Sequence, residues 1–155
     1  MENQESKFNK VKIKIKKLHP DAILPSYSHP GDAGLDLYSI EDLVIKAGER
    51  ALVHTGIAME YPEGYCTLIW DKSGLAANSG LTMLGGVFEH IYKGEYKIII
   101  LNTSKQDYEI KKGQKICQVL VQPIITAEIE EMSEHESLKE TSRGANGFGS
   151  TGLNK

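Results

Sequence analysis

Between residues 10 and 124 the chain is cut by glycine and proline into short apolar runs, most of which alternate with polar residues. Residues 10–18 show the pattern most clearly. Lysines 10, 12, 14 and 16 stand against Val11, Ile13 and Ile15. That is the period of a strand with one buried face, because strand side chains point to opposite sides in turn. Taken as a patch, the same lysines form a basic interaction surface; the alternation favours a solvated strand face. Residues 19–34 contain Pro20, Pro25, Pro30, Gly31 and Gly34 and are read as a loop. Further strands are expected at 35–39, 43–45, 50–59, 65–70, 108–110 and 116–124. Residues 81–102 read as a hairpin turned at 92–95, with 96–101 as its return strand. One short helix is expected over 73–80, ended by Gly80. After Pro123 the chain becomes acidic, and residues 127–140 read as a last strand and then a linker. Many short strands with glycine and proline turns imply an all-β sandwich or barrel.

The chain has 155 residues, enough for one domain with a sizeable core, and a formal net charge of −3. That balance argues against a general nucleic-acid binder, which usually carries a basic excess. No apolar run is long enough to cross a membrane, and the N-terminus lacks an apolar signal core, so a cytoplasmic location is expected. Cys66 and Cys117 lie far apart in apolar runs and are expected as buried free thiols. No paired Cys or His spacing suggests zinc.

Five stretches place polar groups where a plain β-barrel needs none. They are Asp32-Ala33-Gly34-Leu35-Asp36-Leu37-Tyr38, Lys72-Ser73-Gly74-Leu75-Ala76, the segment from Gly86 to Glu95, Gly113-Gln114-Lys115-Ile116-Cys117-Gln118, and the glycine-rich end from Arg143 to Gly152. Singly, each has a plain reading. Asp36 is a turn carboxylate, Ser73 a helix N-cap, Glu89 a solvated hairpin charge, and the last stretch a polar tail. The tail also has the parts of a nucleotide clamp. Arg143 can pair with phosphate, Phe148 offers a face for a base, and the backbone N–H groups around Gly149, with the Ser150 hydroxyl, can cradle anionic oxygens.

In this order and spacing the five stretches resemble the motifs of the trimeric dUTP diphosphatases (dUTPases), over about residues 11–152. The resemblance implies an all-β, dUTPase-like jelly-roll β-barrel with one short helix and a flexible C-terminal arm, assembled as a homotrimer with sites at subunit interfaces. It implies cleavage of dUTP to dUMP and pyrophosphate with Mg²⁺ held by the substrate phosphates and waters, not by a protein cage. The domains would be a flexible tail at 1–9, a catalytic β-barrel at 10–132, and a linker and closing arm at 133–155. An extended chain from Ser133 to Phe148 reaches about 50 Å, far enough to cover a neighbouring subunit's site.

Carried over residue by residue, Glu89 matches the carboxylate that orients the attacking water and accepts its proton. Asp36 matches an aspartate near that carboxylate and the sugar. Tyr92 matches the tyrosine under the deoxyribose, which leaves no room for a 2′-hydroxyl. Gly86, Val87 and Lys97 match the hairpin backbone that reads the uracil edge. Lys72, Ser73 and Gly74 match the second motif, and Gln118 the fourth-motif glutamine; these hold the triphosphate. Arg143 would sit on phosphate, and Phe148, Gly149 and Ser150 would close over the substrate.

Several positions depart from the family pattern. Glu89 stands in place of aspartate, and its extra methylene moves the carboxylate by about 1 Å, a displacement that can cost about a hundredfold in rate. Phe88 replaces isoleucine and Ile91 an acidic residue. Lys72 replaces arginine and so lacks the planar fork. Asp71 replaces proline and puts a negative charge near the triphosphate site. Two other functions stay open on these residues. One is a related hydrolase or deaminase acting on dCTP, although Trp70-Asp71-Lys72-Ser73-Gly74 lacks the glutamate that the deaminases carry there. The other is a weakly catalytic nucleotide-binding regulator.

Overall fold

A computed structural model describes residues 10–146 of the chain. Two compact units divide at residue 125, the first ending at Ile125 and the second beginning at Thr126.

The first unit carries every strand among the described residues, in four sheets. β2 (Leu35–Tyr38), β11 (Lys115–Pro123), β6 (Tyr65–Trp70) and β8 (Val87–Glu89) form one sheet in that spatial order. β4 (Arg50–His54), β9 (Lys97–Asn102) and β7 (Leu81–Leu84) form a second. β1 (Lys14–Lys17) pairs with β5 (Ile57–Glu60), and β3 (Leu43–Ile45) with β10 (Tyr108–Ile110). All these pairings are antiparallel. The sheets do not join into one closed barrel. They share one core, to which Leu37, Ile45, Val53, Ile57, Ile69, Leu81, Ile98, Ile110 and Val119 contribute. Alternation produces that core directly. In β9, Ile98 and Ile100 are buried while Lys97 is exposed. Burying each such side chain contributes about 1.5–3 kcal/mol. The lysines of residues 10–16 are exposed between half-buried Val11, Ile13 and Ile15, and Lys14 pairs with Glu60 at 2.8 Å. Cys66 and Cys117 are buried free thiols.

Beyond the expected strand 50–59, which is split at Gly56 (φ +67°) into β4 and β5 of different sheets, three details differ from the sequence reading. The helix α1 (Ser73–Ser79) ends on Gly80 in the left-handed conformation, as expected, but its N-cap is Lys72. Ser73 is the first helical residue, not the cap. Residues 81–102 do not form one simple hairpin. β7 does pair with β9, whereas the intervening β8 pairs with β6 in the other sheet. Phe88 explains the departure, because its ring stacks on buried Tyr96 at 4.1 Å and 9°, drawing β8 over the core.

The third correction concerns residues 127–140. No strand follows Pro123 among the described residues of the second unit. A strand needs a partner edge and a buried face. Here Ile129 and Leu138 are 94% and 82% exposed, so neither contributes to a covered apolar face. The expected boundary between 132 and 133 falls inside this second unit. No helix among the described residues is long and apolar enough to cross a membrane.

Candidate active site

Asp36 is the best-defined charged group of the first unit. It lies on β2, opposite Gln118 of β11, and is only 3% exposed. A buried carboxylate must be compensated. Lys72 Nζ lies 2.5 Å from Oδ1, Lys115 Nζ 2.6 Å from Oδ2, and the Ser28 hydroxyl donates to Oδ2 at 2.7 Å. Burial raises the Asp36 pKa, but the hydrogen bonds from Lys115, Lys72 and Ser28 more than offset it and hold the carboxyl at about 2. The group is therefore ionised throughout the physiological range.

Asp36, Lys72 and Gln118 line a cleft of about 650 Å³ together with Ser28, Asp32 and Gly34. Gly34 is required by close approach. A Cβ there would lie 2.5 Å from Gln118 Oε1 and 3.0 Å from Gln118 Cβ. Gln118 is held on its other side, where Nε2 donates to the Asp71 carbonyl at 2.9 Å. The chain thus sets the Lys72 ammonium and the Gln118 amide in the wall of one cleft, with the Lys115 ammonium on Asp36 Oδ2 behind them, donors of the kind that phosphate oxygens accept. Lys115 and Ser28 were missed as site residues in the sequence. Lys115 lies within the fourth motif beside Gln118, but nothing local shows that it reaches Asp36.

The second cluster is the segment around β8. Gly86, Val87, Phe88, Lys97 and Ile98 line a recess of about 90 Å³ between β8 and β9. Glu89 ends β8 opposite Cys66, is exposed, and makes no side-chain hydrogen bond or ion pair among the described residues. The Glu89 carbonyl accepts the Tyr92 N–H at 2.9 Å, closing the turn. Tyr92 is fixed at its far end, where its hydroxyl donates to the Glu95 carbonyl at 2.9 Å. A Cβ at Gly94 would meet Tyr92 Oη at 2.5 Å and Cζ at 2.6 Å, so the ring occupies the space that glycine leaves. Below, Tyr61 donates to the Phe88 carbonyl at 2.6 Å, and Thr67 meets Tyr96 Oη at 2.7 Å. The Glu95 carboxylate accepts the Gly56 N–H at 2.9 Å and meets His54 Nδ1 at 3.0 Å, anchoring the segment's end. Ile91 is exposed, and nothing in the structure explains it.

The two clusters are not brought together within one chain. Asp36 aligns through Gln118 with Trp70, whereas Glu89 aligns with Cys66. Four residues along β6 and three strand spacings across the sheet put Asp36 and Glu89 roughly 20 Å apart along its surface. The expectation that Asp36 lies near Glu89 is not met inside the single chain. Ser73 and Gly74 open α1 directly after Lys72. Arg143 lies in the second unit, in a turn where its Nε donates to the Asn146 carbonyl at 2.9 Å. Phe148, Gly149 and Ser150 lie outside the described residues.

The family model for dUTPase matches residues 20–152. The chain belongs to the dUTPase family. Among curated relatives, the deoxyuridine 5′-triphosphate nucleotidohydrolase of Clostridium acetobutylicum is 46% identical over 147 residues, covering 94% of this chain and 99% of the relative. The enzyme of that name from Nautilia profundicola is also 46% identical, over 92% of this chain and 99% of its own. Among solved structures, the dUTPase of Staphylococcus bacteriophage 80alpha with dUpNHpp superposes with a TM-score of 0.83 at 30% identity, over 92% of this chain and 99% of that one. The mostly β fold with one short helix is therefore the dUTPase jelly roll.

Proposed function

We propose that this dUTPase-family chain hydrolyses dUTP to dUMP and pyrophosphate by in-line attack of water at the α-phosphorus. The observation that carries the reading is the division of its polar groups. One cluster presents an ammonium group and an amide, and the other presents a narrow recess, a fixed tyrosine and a carboxylate unpaired among the described residues. Lys72, Ser73, Gly74 and Gln118 bind the triphosphate, with Lys115 held beside them by Asp36. Gly86, Val87 and Lys97 read the uracil edge, and Tyr92 excludes a 2′-hydroxyl. Glu89 orients the attacking water and takes its proton. A carboxylate with no competing partner among the described residues suits that role, and the turn closed by Tyr92 supports its placement. Arg143, Phe148, Gly149 and Ser150 close over the substrate.

Mg²⁺ fits as an ion carried by the substrate. The cleft's buried carboxylate, Asp36, already accepts two ammonium groups and a hydroxyl. Among the described residues no group of three His, Cys, Asp or Glu side chains is placed to hold a metal. Gln118 would meet such an ion, which when bound would offset the charge of the phosphates.

The chain works as a homotrimer in which one copy supplies the phosphate cluster and another the Glu89 segment. Catalytic groups must approach the reacting atoms to within about 3 Å, and a separation of roughly 20 Å along the sheet within one chain leaves each cluster incomplete alone. Closed cyclic assembly completes all the sites at once.

The test is turnover of each deoxynucleoside triphosphate with Mg²⁺, with products resolved. Pyrophosphate and dUMP from dUTP are expected. Ammonia from dCTP would indicate the deaminase, and binding without turnover the regulator. Glu89→Gln is expected to abolish turnover while dUTP affinity stays within a fewfold; equal turnover removes Glu89 from the chemistry.

A further inference from the structure

Asp71 lies between the end of β6 and the start of α1, and its bonds extend to two other strands, β7 and β11. Its Oδ1 accepts the Met83 N–H at 2.7 Å, and its Oδ2 the Thr82 hydroxyl at 2.9 Å. Its carbonyl accepts Gln118 Nε2 at 2.9 Å. β6 and β11 belong to the four-stranded sheet and β7 to the three-stranded one. The carboxylate therefore ties the two sheets together at the mouth of α1, where no backbone ladder joins them. The next residue, Lys72, caps α1 in an extended conformation and reaches Asp36. Two of the phosphate-binding groups, Lys72 and Gln118, are thus placed by the backbone of a single residue whose side chain is anchored on β7.

We infer that Asp71 is a positioning residue for the phosphate half of the site. Its carboxylate fixes the β6–α1 junction to β7 and thereby aims Gln118 and Lys72 into the cleft. This rests on the proposed dUTP reading. Asp71 lines the cleft beside Lys72 and keeps its negative charge there, but its carboxylate has a second task. Both oxygens are engaged by donors on β7, so the carboxylate is committed to that strand. Proline, the usual family residue here, has no side-chain acceptor for either donor.

The positioning role and a repulsive role predict different patterns. Asn can accept the Met83 N–H and share a hydrogen bond with the Thr82 hydroxyl without the charge. Ala can do neither. The measurement is calorimetric binding of Mg-pyrophosphate and, separately, of deoxyuridine, to the full-length wild type and each variant. Asp71→Ala is expected to weaken pyrophosphate binding about tenfold, the scale of one lost or misdirected charge-assisted hydrogen bond, with deoxyuridine binding within about twofold. Asp71→Asn is expected to restore pyrophosphate binding to within about threefold of wild type. Unchanged pyrophosphate binding in Asp71→Ala overturns the proposal. So does Asp71→Asn that binds pyrophosphate more tightly than wild type, since that outcome assigns the effect to charge. If Asp71→Ala does not fold, Thr82→Val removes one anchor alone and is expected to weaken pyrophosphate binding about threefold; no weakening there also overturns it. Because binding is read without turnover, a wild type that fails to hydrolyse dUTP counts against the proposed reaction and leaves this comparison decisive for Asp71.

Discussion

Asp36→Asn isolates the electrostatic anchor of the cleft that Lys72 and Gln118 line. Asn preserves shape and removes the charge that Lys72 and Lys115 share. The carboxyl is held at about 2, down from an ordinary 3.8, after burial has acted against it. At about 1.4 kcal/mol per pH unit, the ionised group contributes roughly 2 kcal/mol to stability at neutral pH. The sign follows from the depressed folded-state value. The contribution is complete above the unfolded value of 3.8 and is lost as pH falls through about 2. The assay is urea unfolding of wild type and Asp36→Asn at intervals from pH 7 down to 2. Other carboxylates titrate in both proteins, so the difference between the two curves reports Asp36. That difference should be roughly 2 kcal/mol at pH 7 and should shrink below about pH 4. Lys72 and Lys115 are both partly exposed and can turn to water in the variant, which keeps the loss near this figure. A stability difference that is the same at pH 7 and pH 2 would refute the reasoning, because a constant offset reports packing and not charge.

Two glycines test the site sterically. Gly34→Ala should push Gln118 aside, costing about 1–3 kcal/mol of stability as overpacking does, and should raise the KM for dUTP about tenfold in steady-state assays; an unchanged KM removes Gln118 from substrate binding. Gly94→Ala should displace the Tyr92 ring, whose atoms a Cβ would meet at 2.5–3.0 Å. The ratio of dUTP to UTP turnover should then fall about tenfold, on the scale of discrimination by shape in a binding pocket, and a preserved ratio would show that Tyr92 does not gate the sugar.

The elements of this fold are legible in the sequence because they depend on local pattern. Residues 97–102 alternate in burial as they alternate in character, and Gly80 ends α1 where a left-handed cap is needed. Pairing is less legible. That β8 leaves its neighbours and joins β6 depends on Phe88 finding the face of Tyr96, a contact that spacing does not show. The chain after Pro123 illustrates the opposite error. Its residues 127–140 read as a last strand and then a linker, but neither Ile129 nor Leu138 finds cover.

The sequence alone determined the strand periods, the turns, the family motifs and which groups are candidates for the chemistry. Those are properties of residues and near neighbours, and they survive without knowledge of contacts. The tertiary structure decided what each group touches. It put Lys115 on Asp36, turned the Asp71 carboxylate onto β7, left Glu89 without a partner among the described residues, and kept Asp36 far from Glu89. Such outcomes depend on which distant strands pair and in what register. A shift of one residue in that register reverses every side chain's direction.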